Sequence, residues 1–390
     1  MLEETTCNSQ RGACAATKTD WNLFFDTPIN RLGTACEKWD GMRHDSGREL
    51  LPLWVADMDF ACAPEIREAL MRRAEHAIYG YSYQTDEATQ AMIDFMARRH
   101  GVALKPEQIA LMPCVVTGLR AAVLAFSKPG ERVIIQPPVY GPFYSAVTAS
   151  ERELAEAPLK LADGRWSMDL EAVEARCREG ARLMLLCNPH NPVGRLWMAE
   201  ELSALLQILN NYGVTLISDE IHGDFAFDCR YTPMETLPEA AHASLVTLTS
   251  ASKTFNLAGL QQSSLYTRTP ELQQKLCQQM QLAGVTCGNI FAMVGTEAAY
   301  RYGDAWLDGL LEYLRGNREA LREAVARLLP RATLSPMEAT YLGWLDLRAY
   351  GYGGAELKRR TWEAGVAFIG GDFFGAAWDG YLRSNTATQR

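Results

Sequence analysis

Val214-Thr-Leu-Ile-Ser-Asp-Glu220 decides the fold, because a short apolar run ends abruptly in two carboxylates. A run of that length, closed by polar residues, is the pattern of a parallel strand covered on both faces. Three other runs share it: Val133-Ile-Ile-Gln-Pro-Pro138, Leu183-Met-Leu-Leu-Cys-Asn-Pro189 and Leu245-Val-Thr-Leu-Thr-Ser250. The intervals between them are long enough for helical crossovers, such as the amphipathic segment from Ala199 to Tyr212 that stops at Gly213. These features predict an α/β domain with a mostly parallel sheet and helices on both faces. Ligands in such sheets bind at the carboxyl ends of the strands. Those ends carry Tyr140, Asn191, Asp219 and Lys253.

On the N-terminal side, Pro64 with Ile66, Leu70 and Ala74 predicts one helix, and Ala88, Met92, Phe95 and Met96 before Gly101 predict another. Beyond about residue 285 the pattern changes. Trp306, Leu310, Leu314, Leu321 and Val325 share the face of a long helix, followed by Tyr341-Leu-Gly-Trp-Leu-Asp-Leu347 and Val366-Ala-Phe-Ile-Gly370. The expected division is a mobile arm over 1–20, a smaller α+β domain from 21–49 and 286–390, and a large domain over 50–285.

The 390 residues, 48% hydrophobic and 22% charged, suit a folded globular chain. A net charge of -9 argues against a nucleic-acid partner, which needs a basic face. Neither the opening residues nor any apolar run matches a secretory signal or a membrane span, so a cytoplasmic protein with no membrane contact is expected. The 10 cysteines contain no CxxC pair and read as small buried hydrophobes, with no metal site.

Lys253 follows a buried strand within Ser250-Ala-Ser-Lys-Thr-Phe-Asn256. Desolvation lowers the pKa of a lysine so placed, and the free amine can form a Schiff base. Asp219, at the end of another buried strand, needs a cation or several donors. A pyridinium nitrogen would satisfy it. Asn188-Pro-His-Asn-Pro-Val-Gly194 is a rigid double turn that can aim the Asn191 amide at an oxygen. Each segment alone also reads blandly, as a strand-end lysine, a helix cap and a turn. Their occurrence together, one per strand end, favours a single site.

Taken together, these residues resemble the fold-type I pyridoxal-phosphate enzymes of the aminotransferase class I/II superfamily. Leu53-Trp-Val-Ala-Asp-Met-Asp-Phe60, Gly80-Tyr-Ser82, Asp219-Glu-Ile-His222 and Ser252-Lys-Thr-Phe-Asn256 are similar to the cystathionine β-lyase (C–S lyase) subgroup. The resemblance implies an aspartate aminotransferase-like fold, with a sheet of the seven-stranded type and a smaller α+β domain. It also implies pyridoxal 5'-phosphate as cofactor. Lys253 would bind the cofactor and shuttle protons, Asp219 would partner the pyridinium, Asn191 would donate to the phenolic oxygen, and Tyr140 would stack on the ring. The phosphate would lie against the backbone amides of Val115 and Val116, with Ser250 and Ser252 nearby and His222 at the cofactor. Tyr81 would reach it across a homodimer interface. Arg383, which by itself reads as a surface arginine, would grip the substrate carboxylate beside Asn191, Val55 and Ala56.

The chain departs from the superfamily pattern at three places. Gln261 stands where many aminotransferases place a phosphate-binding arginine, His222 replaces a usual tyrosine, and Thr117-Gly118 stands where relatives carry an aromatic. The expected reaction is β-elimination from an S-substituted L-cysteine such as cystathionine, giving a thiol, pyruvate and ammonia. Three other outcomes stay open at this point: transamination, tailoring of an S-linked cysteine conjugate in secondary metabolism such as antibiotic biosynthesis, and a regulatory role for a cofactor-holding protein.

Overall fold

The computed structural model describes residues 19–285 and 288–390, so the arm expected over 1–20 lies outside the described residues except for Thr19 and Asp20. The four apolar runs form β2, β4, β5 and β6 of one seven-stranded sheet, made of β1 (Ile109–Met112), β2 (Arg132–Ile135), β3 (Glu153–Glu156), β4 (Leu183–Cys187), β5 (Thr215–Asp219), β6 (Leu245–Thr249) and β7 (Ser263–Tyr266), in the spatial order 1-7-6-5-4-2-3. Every neighbouring pair is parallel except those made by β7, which runs antiparallel to β1 and β6. Ile217 at the centre of β5 sits between Leu185 of β4 and Val246 of β6. All five residues of β4 are buried, as a strand covered on both faces requires. Each buried leucine there contributes about 1.5–3 kcal/mol.

Helices close both faces and aim at the strand ends. After α1 (Trp21–Asp26) come α2 (Pro64–Glu75) and α3 (Asp86–His100), each starting within two residues of the position its sequence signals. The apolar run Val115–Phe126 forms α4, whose first turn stands at the sheet's carboxyl edge. Gly118 allows this approach: a Cβ there would sit 2.5 Å from Met112 Sδ and 3.1 Å from Leu248 Cδ1. The amphipathic Ala199–Tyr212 segment is α5, ended by Gly213 at φ 62°. Lys253 rides on the single turn α6 (Ala251–Thr254), capped by Ser250, whose side chain accepts from the Ser252 N–H.

In the C-terminal part, α7 (Ile290–Tyr302) packs near α2, where Gly295 faces Leu70 and Leu260. The long α8 (Asp304–Leu328) then carries Trp306, Leu310 and Leu314 into a core shared with Phe25 and Phe60. Asp20 caps α1, so the N-terminal helix is anchored where Phe25 packs on Trp306 and Tyr313. A second sheet, in the order β8 (Thr333–Leu334), β9 (Leu342–Asp346), β11 (Tyr381–Asn385), β10 (Ile369–Gly370), is wholly antiparallel. It presents Arg383 opposite Trp344 and Ile369. No helix among the described residues is long and apolar enough to cross a membrane.

Candidate active site

A cavity of about 380 Å³ opens at the carboxyl ends of β2, β4, β5 and β6, within the usual size range for small-molecule sites. Tyr140, Asn191, Asp219 and Lys253 all line it, as do Val55, Ala56, Val115, Val116, His222, Ser252 and Arg383. Two members of the expected set stand apart from this wall. Ser250 donates to the Gln262 carbonyl at 2.7 Å and caps α6, a role within the strand end. Tyr81 is fully exposed, away from the lining of this protomer's cavity.

At the centre lie a base and an acid whose ionisation the fold has shifted. Burial, reinforced by the Arg383 charge, pushes the Lys253 amine down to about 8, against the pull of Asp57 and Asp219. Nζ donates to the Ala56 carbonyl at 2.5 Å. Burial also pushes the Asp219 carboxyl up to about 7, despite one hydrogen bond from the Ile221 N–H to Oδ1 at 3.1 Å. Oδ2 has no hydrogen-bond partner among the described residues. A carboxyl in that position is suited to a cation placed across the cavity.

The Lys253 shift fixes a direction with pH. Only the deprotonated amine attacks a carbonyl carbon, so the reactive fraction rises through pH 8, from roughly a tenth at pH 7 to roughly nine-tenths at pH 9. Mixing cofactor-free protein with pyridoxal phosphate should give a visible imine band whose rate of appearance climbs over that interval. A rate still climbing steeply above pH 9.5 would mean that the lysine titrates in its ordinary range.

At the far wall, Arg383 is buried, contrary to the surface position its own segment suggests. Its strand β11 pairs with β9 on one side and β10 on the other, and burial lowers its pKa to about 10, so it stays charged at neutral pH. Nη1 donates to Asn191 Oδ1 at 3.1 Å and Nη2 to the Trp54 carbonyl at 2.9 Å, while Nε is buried without a partner. The facing loop is fastened from several sides. Asn385 donates to the carbonyls of Val55 and Asp57, both at 2.6 Å. Asn256, held at φ 59°, donates to Met58 and Phe60 and accepts from the Met58 N–H. Lys38, Trp39 and Arg31 converge on Asp59, and Arg31 also reaches Asp57 at 2.7 Å. The acidic Asp-Met-Asp segment is thus a structural clamp that presents Val55 and Ala56.

His222 is buried, and burial with the nearby Lys253 and Arg383 charges pushes it down to about 3, so the ring is neutral. Its Nδ1 has no partner among the described residues. Several lining residues were not singled out from the sequence. The Tyr341 hydroxyl donates to the Ala56 carbonyl at 2.9 Å and its ring meets His222 edge-on. Phe373 approaches Tyr140 from a short turn, with ring centroids 5.9 Å apart. Cys114, Cys187 and Gln262 line the wall, beside Gln261, the departure from the superfamily pattern. Phe373 lies in a Gly-rich turn with no periodicity, whereas Cys114 could have been found from its place just before an apolar helix.

The residues of the wall fit pyridoxal phosphate and an amino acid. The first-turn amides of α4 have no side-chain cap, a natural seat for a phosphate. Asp219 faces the cavity with one carboxyl oxygen unbonded among the described residues, and Arg383 retains a buried donor without a partner there. The family described as Aminotransferase class I and II matches residues 48–389. The cystathionine β-lyase PatB of Bacillus subtilis is 39% identical over 93% of this chain and 95% of its own. Among solved structures, cystalysin of Treponema denticola, which contains a pyridoxal 5'-phosphate cofactor, superposes with a TM-score of 0.90 at 30% identity, covering 94% of each chain. The pyridoxal-phosphate-bound C–S lyase of Staphylococcus hominis gives 0.86 at 30% identity, again over 94% of each chain.

Proposed function

The chain belongs to the aminotransferase class I and II family, and on that premise we propose that it is a pyridoxal-phosphate-dependent C–S β-lyase. Its substrate is an S-substituted L-cysteine, cystathionine-like, which with one water yields a thiol, pyruvate and ammonia. The observation that carries the reading is one cavity holding Lys253, Asp219, Asn191 and Arg383 in a chain 39% identical to a cystathionine β-lyase.

When bound, the cofactor supplies an electron sink for the negative charge left on Cα. The chain's own residues do the rest. Lys253 would hold the cofactor through Nζ, and its free amine would take the substrate's Cα proton. Its lowered pKa suits both tasks near neutral pH. Asp219 would pair with the protonated ring nitrogen. Asn191 donates from Nδ2 to the phenolic oxygen while its Oδ1 orients Arg383. Arg383 pairs with the substrate carboxylate as a planar fork, and Tyr140 covers the ring. Neutral His222 fills the cofactor side without adding a competing charge. The fastened loop carrying Val55 and Ala56 shapes the substrate side and limits water at Cα.

We place the working enzyme as a homodimer in which Tyr81 reaches the partner's cofactor. In support, Ile78, Tyr79, Tyr81 and Tyr83 are all exposed on one short stretch, an apolar surface of the kind subunit contacts cover.

The deciding experiment loads the purified protein with cofactor and supplies L-cystathionine with no keto acid. Pyruvate and free thiol should appear in equal amounts with no oxygen consumed. Turnover only after addition of a keto acid would instead establish an aminotransferase, and oxygen uptake an oxidative reaction.

A further inference from the structure

The cavity lining is short of positive charge at the end assigned to the cofactor phosphate. Lys253 and Arg383 are its two strong bases among the described residues. Arg383 is turned to Asn191 and Trp54 on the opposite wall, and Lys253 is the residue that bonds the cofactor. Gln261, in the position where many relatives carry arginine, is exposed and in the left-handed region at φ 57°. Its amide folds back onto the Ala258 carbonyl at 3.1 Å.

The next residue is placed differently. Gln262 is half-buried, lines the cavity, and has an amide oxygen enclosed with no partner. Its Nε2 makes no hydrogen bond among the described residues either. The enclosed oxygen is thus a buried polar atom without a partner among the described residues, which is costly unless a ligand completes the amide. The strand register places it: Ser263 pairs with Met112, so Gln262 stands one step further, beside Pro113 and the start of α4. Ser250 anchors it there through a 2.7 Å bond to the Gln262 carbonyl.

We propose that Gln262 is the side-chain donor to the cofactor phosphate in this chain, taking over the part that an arginine plays elsewhere in the superfamily. This inference rests on the cofactor reading above. The phosphate is then held by neutral groups throughout: the backbone N–H groups of Val115 and Val116, the Ser252 hydroxyl and the Gln262 amide. Exchange of the amide's two ends by rotation presents Nε2 to the anion, because oxygen and nitrogen occupy nearly equivalent positions.

The test compares two ligands, pyridoxal phosphate and pyridoxal, which lacks the phosphate. Cofactor-free protein is titrated with each and followed by visible absorbance and intrinsic fluorescence. Gln262→Leu should weaken pyridoxal phosphate by about 10- to 100-fold, the range for a hydrogen bond to a charged group, with pyridoxal affinity within about twofold of wild type. Gln262→Glu, which keeps the shape and adds a like charge, should weaken it further, and Gln261→Ala should change neither ligand. Equal loss of both ligands in Gln262→Leu, no loss of either, or a loss that follows Gln261→Ala instead would overturn the assignment. Failure of the wild-type protein to bind pyridoxal phosphate would overturn the cofactor reading itself, a result distinct from any of these.

Discussion

Lys253→Ala is expected to lower kcat/KM for an S-substituted L-cysteine by at least about ten-thousand-fold, the upper range for loss of a positioned base. The wall offers no replacement. His222 is pushed down to about 3, too weak a base to take the Cα proton, and Asp219 is the residue proposed to pair with the ring nitrogen. The loop opposite should survive the change, because the Ala56 carbonyl keeps its bond from the Tyr341 hydroxyl. Steady-state kinetics and the absorbance of the cofactor-loaded protein check this together. A variant that retained the visible imine band would place the covalent lysine elsewhere.

Asp219→Asn should cost about 100- to 1,000-fold in kcat, the usual range for one preorganised polar partner at a reacting centre. KM should change little. The asparagine carbonyl can still accept from the Ile221 N–H, so the strand end keeps its shape and only the charge is lost. Without a carboxylate the ring nitrogen loses its proton and the electron sink weakens. Near-normal turnover would assign the pyridinium partner to another residue.

The large sheet was legible where burial on both faces leaves an uninterrupted apolar run, as in Leu183–Cys187. Strand β7 was not named, because Ser263-Ser-Leu-Tyr266 spends two of its four positions on hydroxyl residues even though all four are buried. The strand ends carrying Tyr140, Asn191, Asp219 and Lys253 could be read as a set because each follows its run directly. Arg383 was misjudged on its own segment, since its burial comes from strands β9 and β10, which are remote in sequence from the rest of the site. Gln262 carried no signal at all. Its interest lies in an enclosed amide oxygen without a partner among the described residues, a property of packing that no spacing reveals.

The hydrogen bonds that shape the cavity join residues far apart along the chain: Arg383 to Asn191 spans 192 positions, Lys253 to Ala56 spans 197, and Asn385 to Val55 spans 330. Contacts of that range come late in folding, after the entropy of closing large loops has been met. A partly folded chain therefore offers no complete cradle, and the cofactor recognises the finished native state alone. By mass action, a ligand with that selectivity present at a hundred times its Kd adds about 2.7 kcal/mol to the stability of the native state. Removing the cofactor therefore lowers the folding stability of the native protein by that same amount.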